Sequence, residues 1–191
     1  GGTGADGAAF NAFDSEGNIV VAGYFNGTVD FDPSERVETL TAIVSSEMFI
    51  AKFAPTGNYL WAKRIGGTGA DRGLNIAVDS SGYIYSTGKF TGTVDFNPGG
   101  QAGVLTSDSN SDDVFISKYT PSGSFLWAKR IGGAGADRGL NIAVDSSGNV
   151  YSAGYFSGPS VDFNPGEEIA NFANLGGYDI YILKLNAAGR S

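Results

Sequence analysis

Apolar positions along this chain recur in short blocks with a period of two. The clearest block is FLWAKRI, Phe125–Ile131, where Phe125, Trp127 and Lys129 fall on one face and Leu126, Ala128 and Arg130 on the other. Three earlier blocks read the same way: LNIAVD (Leu74–Asp79), YIYSTGKF (Tyr83–Phe90) and VFISKY (Val114–Tyr119). All are rich in β-branched and aromatic residues, which suit a pleated, half-buried surface. The joints Ser80-Ser81-Gly82 and Pro121-Ser122-Gly123 are the length of hairpin loops and place Gly where positive φ is needed. A long loop separates the second and third blocks, running through Asp95-Phe96-Asn97-Pro98 and the Ser/Asp-rich stretch Ser107–Asp113. No segment carries the three-to-four spacing of a long helix. The pattern predicts an all-β chain of short antiparallel strands.

The whole arrangement repeats. GGTGAD begins at Gly1 and Gly66 and GGAGAD at Gly132, spacings of 65 and 66 residues. GADRGLNIAVDSSG occurs at both Gly69 and Gly135, and Trp61–Ile65 (WAKRI) recurs as Trp127–Ile131. Lys52, Lys118 and Lys184 are each 66 apart. Four short antiparallel strands per repeat, at a period of tens of residues, describe a β-propeller blade. The expected units are residues 1–65, 66–131 and 132–191, the last without its outermost strand, because only six residues follow Leu185. That makes about eleven strands, one short of three four-stranded blades. Closed propellers have about four to eight blades. The ring is therefore expected to be completed by a second copy, as a homodimer of six blades, or by a longer parent chain. The strand edge left on the third blade invites pairing with another chain. A chain opening on Gly1 rather than Met reads as a processed or excised piece.

The run IAVDSSGNVYSAGYFSG, followed by VDFNPG and YDIYILKLNAAG, resembles the bacterial beta-propeller repeat family called SBBP. Its anchors are the G-G-x-G-x-D start, the V-D-x-x-G-N-x-Y turn, D-F-[DN]-P, the F-I-x-K strand and the L-W-A-K strand. The pattern is also similar to the NHL propeller, which implies that the AVD strand is innermost and the W-A-K strand outermost. The resemblance further implies a mostly extracellular or cell-surface setting and mostly non-enzymatic roles.

Composition narrows the chemistry. The chain has no His and no Cys, which removes imidazole acid–base catalysis, His- or Cys-ligated metals, thiolate nucleophiles and disulfides. A net charge of -8 argues against a nucleic-acid partner. No apolar run approaches a membrane span. The 30 glycines in 191 residues fall largely at the turns and at the starts of the repeats.

What remains is carboxylate chemistry. GGTGADRGL resembles a calcium-binding nonapeptide, but it occurs once per repeat and lacks a stacking partner, so a tight Gly-rich crossing between blades is the simpler reading. Asp6, Asp71 and Asp137 would then bond loop amides or pair with Arg72 and Arg138. The loop motif supplies Asp30 and Asp32, Asp95 and Asn97, and Asp162 and Asn164, oxygen side chains two residues apart that could help hold calcium, with Ser107–Asp113 adding oxygens in the second copy. The plainer reading is an Asx-Pro turn with Phe as a buried peg. Asp14, Asp79 and Asp145 read as turn caps. Lys52, Lys118 and Lys184 read as edge-facing or snorkelling side chains, and Trp61 and Trp127 as inter-blade packing. Glu16, Glu35, Glu38, Glu47 and Glu167-Glu168, which break the repeat symmetry, read as solvated charge.

The functional expectation is a non-catalytic, secreted or cell-surface scaffold or recognition module for a glycan or protein. The alternatives are a purely structural repeat that assembles into a ring without ligand and, third, a carboxylate-based glycosidase.

Overall fold

The computed structural model describes residues 2–44, 46–164 and 170–191. Glu167 and Glu168 lie outside them. The first blade contains β1 (Gly7–Phe13), β2 (Ile19–Phe25), the short β3 (Thr28–Asp30) and β4 (Thr39–Thr41), β5 (Glu47–Phe53) and β6 (Tyr59–Gly67). The second repeats the set as β7 (Arg72–Val78), β8 (Ile84–Phe90), β9 (Thr93–Asp95), β10 (Val104–Thr106), β11 (Asp113–Tyr119) and β12 (Phe125–Gly133). The third has β13 (Arg138–Val144), β14 (Val150–Phe156), β15 (Val161–Asp162), β16 (Asn171–Phe172) and β17 (Asp179–Leu185).

The long strands pair antiparallel in the orders β1-β2-β5-β6, β7-β8-β11-β12 and β13-β14-β17. The first two blades thus run from the AVD-type strand at one edge to the WAKRI-type strand at the other, and the third runs from its AVD-type strand to β17. Among the described residues eleven long strands are present, as the pattern predicts. This is a β-propeller architecture of three adjacent blades, not closed into a ring.

The long loop is not without structure. It folds into the short hairpins β3–β4, β9–β10 and β15–β16. The outer strands also run two residues past Ile65 and Ile131, and the extra glycines pair with the next blade. Gly66 and Gly67 lie opposite Asp95 and Val94, and Gly132 and Gly133 opposite Asp162 and Val161. A Cβ on Gly67 would overlap the carbonyl oxygen of Thr93, so the close approach of the two backbones requires glycine there. Sheets therefore continue across blade boundaries through backbone hydrogen bonds.

The core lies between blades. One cluster joins Val20, Met48, Ile50 and Ile65 to Ile76, Ile84, Phe90 and Phe115; a second joins Val114, Ile116 and Ile131 to Ile142, Val150 and Leu183. The two faces of each strand consequently serve different interfaces. In β11, Phe115 faces the first blade while Val114 and Ile116 face the third. No helix among the described residues is long and apolar enough to cross a membrane.

Candidate functional site

The residues that recur with the repeat converge on the joints between blades. Four contacts define a joint, and the first is the Asp of the Gly-rich crossing. Asp137 is fully buried and accepts hydrogen bonds from Gly133 N at 3.0 Å and Ser157 N at 3.0 Å. Asp71 accepts from Thr91 N at 3.3 Å, and its own amide donates to Ser46 O at 2.9 Å. Asp6, at the exposed end of the array, makes the same pair of bonds with Gly2 N and Asn26 N, both 3.2 Å. The carboxylates therefore bond loop amides. They do not pair with the neighbouring arginines: Arg72 lies over the Tyr24 ring at 4.6 Å, and Arg138 bonds Asp112 at 3.3 Å. Burial raises the carboxyls of Asp71 and Asp137 to about 7, against the amide bonds that favour the ionised form.

The second contact is a buried ion pair that the sequence reading misjudged. Glu47 is 0% exposed, and its Oε2 accepts from Arg64 Nη1 at 2.7 Å. Asp113 holds Arg130 in the same way at 2.7 Å. Glu47 is thus no solvated surface charge: it opens a central strand whose neighbour presents Arg. Its carboxyl carbon would lie 2.5 Å from a Cβ on Gly66, so the glycine makes room for the acid. The signal was available, since Glu47, Asp113 and Asp179 are each 66 apart and Arg64 and Arg130 recur with them. Asp112 is a second hub, bonded to Lys89 at 2.7 Å and Thr91 Oγ1 at 2.8 Å.

The third and fourth contacts dock the second hairpin turn of the second and third blades onto the blade before each. Lys52 Nζ reaches Pro121 O, and Lys118 Nζ reaches Ala187 O, each at 3.3 Å and each 69 residues on. Both lysines are buried, and Lys52 also pairs with Asp14 at 2.8 Å. They are inter-blade ties, which corrects the reading as edge or snorkelling groups. Of the three, Lys184 is exposed and lies over the Tyr151 ring. Trp61 packs on Gly123 and Trp127 on Gly189, whose φ values of +80° and +74° are open to glycine. The tryptophans serve inter-blade packing, as expected.

The remaining candidates are turn formers. Asp145 Oδ1 accepts from Ser147 N and Asn149 N, and its Oδ2 accepts from Asn149 Nδ2 and Tyr151 Oη. The Asn149 bonds bring its carboxyl down to about 2. Asp79 and Asp14 cap their turns alike. Asp30, Asp95 and Asp162 each accept the amide two residues on, from Asp32, Asn97 and Asn164, at 2.8–3.1 Å. Asp32 accepts from Ser34 N, and Asn164 accepts from Ser191 Oγ. The oxygens of Ser107–Asp113 turn elsewhere: Ser107 to Gly92 N, Asp112 to Lys89, and Asp113 to Arg130. Among the described residues, no group of three or more acidic side chains is placed to hold a metal ion.

Surface hollows lie at the open ends and along the joints. One of about 760 Å³ on the first blade is lined by Asp32, Arg36, Gly57 and Tyr59. Its counterpart on the second blade, about 250 Å³, is walled by Lys63, Arg64 and Ile65 of the blade before. The buried acids Glu47, Asp71, Asp113 and Asp137 line neither hollow.

Comparisons with known proteins agree with this architecture. The chain is 28% identical over 205 aligned residues to an uncharacterized WD repeat-containing protein, L264, of Acanthamoeba polyphaga mimivirus, covering 91% of this chain and 14% of that protein. It is 29% identical over 110 residues to the regulatory protein FlaEY of Caulobacter vibrioides, covering 57% of this chain and 11% of that one. The chain thus spans about a seventh or less of the length of these curated relatives. Residues 60–92 and 126–155 match the SBBP beta-propeller repeat, each match beginning in an outer strand and crossing into the next blade.

Proposed function

We propose that this array is a non-catalytic scaffold and recognition module of a secreted or cell-surface protein. It would bind a protein or glycan through the loops at its blade ends and associate with itself through its two open end faces. The observation that carries the reading is where the recurrent polar residues go. Asp71, Asp137, Glu47, Asp113, Lys52 and Lys118 are all buried in the joints. Polar groups buried and bonded in this way hold geometry. The segments that differ from copy to copy are the loops following β3, β9 and β15, and variation on a rigid frame is the usual basis of recognition. The relatives, a WD repeat-containing and a regulatory protein by name, are consistent with a repeat scaffold.

Two measurements test the proposal. Binding on a glycan array or to a protein partner, abolished by exchanging the loop after β9 for that after β3, supports recognition. Silence across the array together with a closed oligomer favours the purely structural repeat. Light scattering tests self-association: a stable monomer at high concentration removes that part of the reading.

A further inference from the structure

Resting on the recognition reading above, we infer that the hollow between the first and second blades binds a sugar carrying one carboxylate, a uronic acid. Both of its walls lie within the chain. One is β6 of the first blade; the other is the loop after β9 with the turn into β12. In β6, Trp61, Lys63 and Ile65 share a face by alternation. Trp61 packs on Gly123, and Ile65 joins the core cluster that holds Phe90 and Phe115 of the second blade. Lys63, between them, therefore faces the second blade. It is exposed and has no hydrogen bond or ion pair among the described residues. Arg64 at the same wall is balanced by Glu47, so Lys63 supplies the uncompensated charge. No Asp or Glu is among the described residues that line the hollow.

The opposite wall holds Asn97 and Phe125. The main-chain amide of Asn97 donates to Asp95, but its side-chain amide has no partner among the described residues. Phe125 is half-buried beside it: a Cβ on Gly103 would come within 2.9 Å of Asn97 Cβ and 3.0 Å of Phe125 Cζ. Tyr119 packs edge-on against Phe125 at 5.9 Å, and its hydroxyl donates to Phe96 O.

These groups select a ligand. An ammonium and a side-chain amide both donate, and together they fit a carboxylate. The half-buried ring beside them gives the apolar face of a pyranose its contact. At about 250 Å³ the hollow is smaller than the usual site for a drug-sized ligand, about 300–1,000 Å³, and suits a single sugar ring. A net charge of -8 repels a dense polyanion, so the fit is to one local charge. An acidic peptide would satisfy Lys63 without using Phe125. The first blade supplies the contrast, because its hollow carries Asp32 at the position of Asn97 and so opposes an anion. Asp32 makes the main-chain bond to Asp30 that Asn97 makes to Asp95, so Asn97→Asp keeps the turn.

Titration of the full chain with methyl β-glucuronoside, followed by NMR, is the test. Methyl β-glucoside and a peptide carrying a single Glu are the other arms. The glucuronoside is expected to bind saturably, to move the Asn97 side-chain amide signal and to weaken as salt is raised. The glucoside, without the charge, should not saturate. Lys63→Gln and Asn97→Asp should each weaken glucuronoside binding roughly tenfold or more. Both should fold, which unchanged signals from the third blade check. Equal binding by wild type and both variants overturns the inference. So does a peptide that binds more tightly than the glucuronoside with the same dependence on Lys63, which makes the hollow a peptide site. If wild type ignores the glucuronoside yet binds another glycan or a protein through the loop after β9, the inference fails and the recognition reading stands. Silence in these arms and across the glycan and protein screens overturns both.

Discussion

The buried carboxyls of the crossings make the stability of this array depend on pH in an unusual direction. Asp71 is fully buried, its Oδ2 has no hydrogen-bond partner among the described residues, and burial lifts its carboxyl from 3.8 to about 7. Between these values the folded protein holds a proton that the unfolded chain has released. The unfolded state then binds fewer protons, so stability falls as pH rises. The loss begins near pH 4 and is complete above pH 7. At about 1.36 kcal/mol for each tenfold change in proton affinity, it amounts to about 4 kcal/mol from Asp71 as an upper bound. For a chain of this size that is roughly 10 °C in melting temperature. Asp137, raised to about 7, and Asp113, raised to about 6 by burial, act in the same sense. The opposing group, Asp145, brought down to about 2, contributes stability that is lost only as pH falls through that value, so the two windows are separate. With no His and no Cys, little else titrates between about pH 5 and pH 8. Thermal melts followed by near-ultraviolet circular dichroism from about pH 4.5 to about pH 8.5 should show a falling melting temperature. Asp71→Asn, neutral throughout, should flatten part of that slope and melt higher than wild type at the alkaline end. A wild-type melting temperature independent of pH, or a slope unchanged in Asp71→Asn, would refute the reasoning.

Other expectations follow from the joints. Arg130→Ala leaves the buried Asp113 carboxylate unpaired and should cost about 3–5 kcal/mol at neutral pH in denaturant titration, less in acid, where Asp113 protonates. Gly132→Ala places a Cβ against the Asp113 carboxyl and should be comparably destabilising, whereas Gly99→Ala, with nothing near its Cβ, should cost only its positive φ, about 1 kcal/mol. Trp127→Ala uncovers Gly189 and the last turn, so hydrogen exchange should speed up in the third blade and stay near wild type in the first. Because the carboxyls of Asp30, Asp95 and Asp162 accept amides of their own turns, neither calcium nor a chelator should move the melting temperature; a shift of several degrees would assign calcium to those loops.

Much of the fold was readable from local pattern. The alternation in Phe125–Ile131, the Asp-led turns and the 66-residue recurrence of Lys52, Lys118 and Lys184 are all signals within or between short windows. The short hairpins β9–β10 and β3–β4 were not readable, because strands of three residues surrounded by Pro, Gly and Ser have too few positions to show a period. Glu47 was misread for a related reason: in a single copy Glu looks like an isolated departure, and only the pairing of β5 with β6 brings Arg64 to it. The lysines were placed on the correct strand but given the wrong role, since their partners Pro121 and Ala187 are 69 residues away.

By itself the sequence determined the strand, the turn and the blade, because each depends on residues a few positions apart whose alternation and Gly or Asp chemistry act locally. The chemistry it excludes, for want of His and Cys, was equally plain. Tertiary structure decided what the recurring polar residues are for. Asp71, Asp137, Glu47 and Lys118 are individually ordinary surface types, and they become joint residues only when the packed blades exclude water from them and amides, a guanidinium group of the adjoining strand and carbonyls take its place. The same exclusion distinguishes Ile116 from Ile182: one residue type at one position of the repeat, buried where a blade follows and exposed where none does.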